Sequence, residues 1–152
     1  MSALRNLIHG ITKGVLVEFT LGDLGQRPTK LYKTDACWDI YSSTTTTVPA
    51  NSTVEVPTDL CVNIPEGYEG ELKLRSGLGR EGLDIHHGAY DAGYQGELNP
   101  FVHNRTDKAF TFGIGSRVCQ FSLRRVIPIR WELVASFALS QRGTKGHGSS
   151  GK

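Results

Sequence analysis

Glycine recurs 18 times in these 152 residues, too often for long helices to form. Each glycine inside a helix costs about 1 kcal/mol relative to alanine. Here they cut the apolar residues into short runs. No window of about a dozen residues carries a helical apolar face, apart from one or two turns after Arg75, around Gly79–Gly82. Strand-like runs recur instead at Val15–Phe19, Thr44–Val48, Ser52–Val56, Leu60–Ile64, Gly70–Leu74, Ala109–Phe112, Val118–Val126 and Ile129–Val134. Turn signals at Asn51-Ser52 and Pro65-Glu66-Gly67 separate some of them. Many short strands in one chain predict an all-β fold, a closed barrel or jelly roll. Pro100 falls inside an expected strand, where it requires an edge position or a bulge.

The length fits one domain with a sizeable core. Residues 1–14 read as an N-terminal arm, 15–139 as the β-barrel domain, and 140–152 as a flexible glycine-rich flap. A net charge of +2 is too small to argue for nucleic acid or membrane as partner. No signal peptide or membrane-length apolar run is present, so a soluble chain in the cytoplasm or another intracellular compartment is expected. The three cysteines, Cys37, Cys61 and Cys119, have no paired spacing and apolar neighbours. They are expected to be buried free thiols.

Four segments carry chemistry. In Leu74–Arg80 a strand ends at Arg75, and small residues open a short helix whose N–H groups, with Ser76 and the guanidinium, suit phosphate oxygens. Tyr90–Gly96 sets Asp91 and Tyr94 on a turn whose glycines, Gly93 and Gly96, let backbone approach a ligand. Gly115–Phe121 puts Arg117 and Gln120 at the mouth of a strand, on opposite faces by parity. After Glu132 there is no acidic residue, while Arg142, Lys145, His147 and Lys152 accumulate. Fixing such a tail costs about 1–2 kcal/mol per residue in backbone entropy, with little apolar burial to offset it. It should be mobile when empty and order only against a charged ligand.

Taken in order, Ala36–Ser42, Arg75–Leu78, Gly88–Leu98, Gly115–Phe121 and Arg142–Gly151 resemble the five motifs of the homotrimeric dUTP pyrophosphatases, or dUTPases. The resemblance covers about residues 15–151. It implies a distorted jelly-roll barrel of the β-clip kind, assembled as a homotrimer whose three sites are shared between chains, with a mobile C-terminal tail. It further implies hydrolysis of dUTP to dUMP and pyrophosphate. Asp91 would deprotonate the water that attacks the α-phosphorus. Arg75, Ser76, Gly77 and Gln120 would contact the phosphates. Tyr94 would pack on the deoxyribose and reject UTP. Backbone groups around Gly88–Tyr94 would read uracil. Arg142 and Ser149, with Gly148 between Ser149 and His147, would close on the γ-phosphate, and His147 would lie over the base. Mg²⁺ would be held by the triphosphate and waters, Asp39 orienting one water and also pairing with Arg117.

The chain departs from that pattern in three places. His147 stands where many relatives carry Phe. The loop between Ser76 and Asp91 is short and lacks an Asn that often frames uracil, leaving His86 or His87 to line the position. Pro100 interrupts a strand that is regular elsewhere. Two rival readings differ in chemistry. A dCTP deaminase of the same fold needs a Glu ten residues beyond the Asp, where this chain has Phe101. A dUTPase with an added regulatory protein partner would use the arm Met1–Gly14.

Overall fold

The computed structural model describes residues 14–144. It is built from eleven short strands: β1 (Glu18–Leu21), β2 (Trp38–Tyr41), β3 (Thr46–Val48), β4 (Thr53–Glu55), β5 (Leu60–Asn63), β6 (Tyr68–Lys73), β7 (Leu83–Ile85), β8 (Ala89–Tyr90), β9 (Phe101–Asn104), β10 (Phe110–Phe112) and β11 (Arg117–Arg125). One helical turn, α1 (Ser76–Arg80), follows β6. Every ladder is antiparallel, in the orders β2-β11-β6-β8, β4-β9-β7, β1-β5 and β10-β3. The fold is all-β and jelly-roll-like.

Alternation places the core. Leu60, Val62 and Ile64 from β5 and its end point inward, with Leu72 of β6, Leu83 and Ile85 of β7, and Phe121 of β11. Gly70 sits across from Leu123, and a Cβ there would stand 2.7 Å from the Phe121 ring, so only glycine lets that ring lie over β6. Asn104 is buried among these groups, yet its amide donates to the Val48 and Lys108 carbonyls and its oxygen accepts from Thr106. Hydrogen bonds to both ends of the amide offset the cost of taking it out of water.

Several expectations need correction. Ile129–Val134 is not a strand. It belongs to an exposed run in which Ile129, Trp131 and Leu133 have no cover, because no strand edge pairs with it among the described residues. Pro100 is neither on an edge nor in a bulge: it immediately precedes β9, the central strand of its sheet, and its carbonyl accepts from Val56 N–H. The helical turn expected after Arg75 spans Ser76–Arg80, and so ends before Gly82. Of the three free thiols only Cys119 is buried, whereas Cys37 and Cys61 are partly exposed.

Candidate active site

The first cluster forms around Asp39, a buried residue of β2. Its Oδ1 accepts from Arg75 Nε at 3.1 Å and from Gln120 Nε2 at 3.0 Å, and its Oδ2 faces Arg117 Nε at 3.4 Å. The sheet explains the convergence. Gln120 pairs with Asp39 on one side and Lys73 on the other, so Arg75, just past β6, comes back over the same carboxylate. Parity predicted Arg117 and Gln120 on opposite faces, and that is wrong. A register shift between Arg117 and Cys119 inserts an extra residue into β11, leaving Val118 and Cys119 both buried and bringing Arg117 and Gln120 to one face. A hydrogen bond to Tyr41 and then the Asp39 charge push the Arg117 pKa up, keeping it cationic. Burial does the same to the Cys119 thiol, which stays neutral beneath the cluster.

α1 begins beside this cluster. Leu78 is buried and anchors the turn, while Ser76 and Gly77 are exposed, and a side chain on Gly77 would meet nothing. The arrangement offers cationic and N–H donors on an open surface, a fit for oxyanions.

The second cluster is the turn after β8. Gly93 adopts φ +80°, donates its N–H to the Ile64 carbonyl at 2.9 Å, and so pins the turn to the end of β5. The Glu97 carboxylate accepts from the amides of Thr58 and Asp59 at 3.0 and 2.6 Å, fixing its far end. Asp91 projects from this braced turn into solvent, with no side-chain partner among the described residues. Tyr94 donates to the Glu97 carbonyl at 3.0 Å and covers Gly96, where a Cβ would lie 2.4 Å from the Tyr94 oxygen. Beside the turn lies a cleft of about 220 Å³ lined by His86, Gly88, Ala89, Tyr90, Asn99 and Phe101, among others. It is smaller than the roughly 300–1,000 Å³ typical of drug-sized ligands, and so suits a single ring. His87 is turned away toward Asp84, 3.8 Å from its Oδ1.

A family model described as dUTPase matches residues 24–151. The chain belongs to the dUTPase family. The probable deoxyuridine 5'-triphosphate nucleotidohydrolase of Schizosaccharomyces pombe is 35% identical over 125 residues, covering 82% of this chain and 89% of that protein. The Candida glabrata deoxyuridine 5'-triphosphate nucleotidohydrolase is 37% identical over 130 residues, covering 84% and 90%. Among solved structures, Staphylococcus bacteriophage 80alpha dUTPase with dUPNHPP superposes with a TM-score of 0.84 at 29% identity, covering 90% of this chain and 99% of that one. A mutant dUTPase from phage phi11 of S. aureus, described with a structural Mg(II) ion, gives 0.75 at 25% identity, covering 81% and 99%.

In this dUTPase the expected site residues fall into two separate groups. Asp39, Arg75, Ser76, Gly77 and Gln120 gather at one end of β6, while Asp91 and Tyr94 lie toward the other, and Gly88 sits between them, just before Ala89, which pairs with Glu71. Tyr90 pairs with Gly70, and Gln120 with Lys73. Asp91 continues beyond Tyr90 toward the start of β6, whereas Arg75 continues past its end. At about 3.3 Å per residue their backbones stand roughly 20 Å apart along the strand. Arg142 lies at the exposed end of the described chain. His147, Gly148 and Ser149 lie outside the described residues. Neither Tyr90 nor Asn99 was singled out from the sequence as a cleft side chain: β8 is only two residues long and leaves no periodic signal, and Asn99 is placed by bonds to Thr58 and Glu55, about forty residues earlier. No group of three or more His, Cys, Asp or Glu among the described residues could hold a metal. No helix among them is long and apolar enough to cross a membrane.

Proposed function

We propose that this chain hydrolyses dUTP to dUMP and pyrophosphate at sites built from more than one copy of itself. The observation that carries the reading is the separation of the two clusters, each complete in its own chemistry. One is an oxyanion cradle and the other a cleft with a free carboxylate at its rim. A second copy would set the Asp91 turn of one chain against the Asp39–Arg75–Gln120 cluster of its neighbour. The uncovered Ile129, Trp131 and Leu133 supply apolar surface for such an assembly, which we read as the family's homotrimer.

In this reading the base enters the cleft beside Gly88 and Ala89, and the deoxyribose lies on Tyr94. Arg75, Gln120 and the N–H groups of Ser76 and Gly77 receive the phosphates. Asp91 takes a proton from water as the water oxygen bonds to the α-phosphorus. The bond from that phosphorus to the bridging oxygen breaks, and pyrophosphate leaves with the electron pair. A positioned carboxylate base contributes about 10²–10⁴ in rate. Arg142, with His147, Gly148 and Ser149, closes over the phosphates and base and excludes bulk water.

The donor set fits Mg²⁺ arriving on the triphosphate with its waters retained, not a protein cage: Asp39 is the one carboxylate in its cluster, and both its oxygens already face donors. Asp39 would hold the ion through a water. When bound, the metal neutralises phosphate charge. The deaminase reading lacks its catalytic carboxylate, since Phe101 occupies that position. Incubating the protein and Mg²⁺ with each deoxynucleoside triphosphate tests the function: pyrophosphate release confined to dUTP is expected, and ammonia release from dCTP would overturn it.

A further inference from the structure

We infer that Lys73 is a further phosphate-binding residue, held in reserve by Glu71 and released to the substrate's phosphate chain as that chain enters the cradle. The inference rests on the Asp39–Arg75–Gln120 cluster being the phosphate site of the proposed function.

Position comes first. Along a strand every second side chain shares a face, and partners directly across an antiparallel ladder share it too. Leu72 is core and Leu74 packs against the core, so Glu71, Lys73 and Arg75 project from the opposite face of β6 and its continuation. Lys73 pairs with Gln120, which pairs in turn with Asp39. One row across the sheet therefore reads Asp39, Gln120, Lys73, with Arg75 one step further along the same face. Two residues of strand span roughly 6–7 Å, within the sweep of a lysine's four-carbon stem.

The hold on Lys73 is weak. Its Nζ lies 3.4 Å from Glu71 Oε2, and Arg124 Nε lies 3.1 Å from the same oxygen. That oxygen is out of contact with solvent, yet it forms a hydrogen bond with neither cation. The Lys73 side chain is 38% exposed. A solvated ion pair without directed bonding contributes little. When Lys73 turns away, Arg124 stays on Glu71, so the carboxylate is not left alone.

The cradle has use for another cation. Arg75 and Arg117 both face Asp39, which leaves a single surplus positive charge there. A triphosphate chain remains anionic even with one divalent ion bound. Its attraction for a nearby ammonium exceeds that of a carboxylate already shared with an arginine. Lysine suits the task, being a mobile point charge that needs no fixed bidentate geometry.

The test is calorimetry and steady-state kinetics on the full-length chain with Mg²⁺. Lys73→Met should weaken binding of a non-hydrolysable dUTP analogue and raise KM for dUTP, each by about tenfold, with kcat within about threefold of wild type. Binding of deoxyuridine, which has no phosphate, should stay within about twofold of wild type, a split that general structural damage would not give. Lys73→Arg should recover most of the loss. Glu71→Gln should tighten the analogue by about threefold at low salt, and the same change in a Lys73→Met chain should give no gain. A Lys73→Met enzyme with wild-type affinity for the analogue overturns the inference, as does a Glu71→Gln gain that survives without Lys73. Sedimentation should show the Lys73→Met chain assembled as wild type. Loss of assembly would make Lys73 an interface residue and overturn the inference as well. Wild-type protein that leaves dUTP uncleaved would instead sink the functional reading itself.

Discussion

Tyr90 packs on Tyr94 with ring centroids 5.3 Å apart and planes tilted by 60°. The inner ring belongs to β8 and the outer one to the Asp91 turn, so the pair couples the sheet to the surface on which the sugar is proposed to rest. Tilted aromatic pairs contribute about 0.5–1.5 kcal/mol beyond area burial. Tyr94→Ala should therefore admit UTP, and Tyr90→Leu should admit it to a lesser degree by loosening the ring. Turnover of UTP against dUTP measures both, and unchanged UTP rejection in Tyr94→Ala would remove the sugar-gate role.

Asp91 stands free on a braced turn, so changing its charge should disturb little else. Asp91→Asn should bind a non-hydrolysable dUTP analogue nearly as wild type while turnover drops by about 10²–10⁴. Calorimetry and pyrophosphate release give the two numbers. Wild-type turnover would disprove the base assignment.

The spacing of the clusters along β6 makes a stronger demand. Arg75→Ala and Asp91→Asn chains should each be inactive alone. Co-expressed at equal levels, they should recover activity, to about a quarter of wild type if copies mix at random and each site draws the two residues from different chains. No recovery in mixed assemblies would place both residues of a working site in one chain.

Tyr90 also sets an alkaline limit. Its pKa is pushed from 10.0 up to about 12, first by burial and then by Cys119, Tyr94 and Glu55. The unfolded chain loses this proton first as pH rises. Tyr90 therefore adds to stability in full below pH 10, and the contribution fades as pH climbs through about 12. Urea midpoints taken across that interval should fall with pH, and Tyr90→Phe should flatten the fall. An equal slope in both proteins would assign the alkaline loss elsewhere.

Removing Arg142–Lys152 should leave an assembled protein with most activity gone. Sedimentation and pyrophosphate release check the two halves of that statement, and a fully active truncation would end the flap model.

Residue order revealed the all-β class, because glycines and turn residues bound most of the strands, and it revealed the site motifs, because they lie in short contiguous stretches. It hid what depends on pairing. β8 exists only because Gly70 and Glu71 supply an edge for Tyr90 and Ala89. Ile129–Val134 has the alternation of a strand and no described edge to join. The bulge before Cys119 is invisible to a rule of two, and with it the meeting of Arg117 and Gln120 on Asp39. The cleft was legible only as a choice between His86 and His87, which the Asp84 contact decides geometrically.

In the proposed assembly, because β6 holds the cradle and the Asp91 turn so far apart, one protein molecule serves two different pockets, half in each. A copy damaged at one end would then cost its assembly one pocket, no more than its own share, whereas a copy damaged at both ends would cost two, leaving about a quarter of the pockets in an equal random mixture with intact copies.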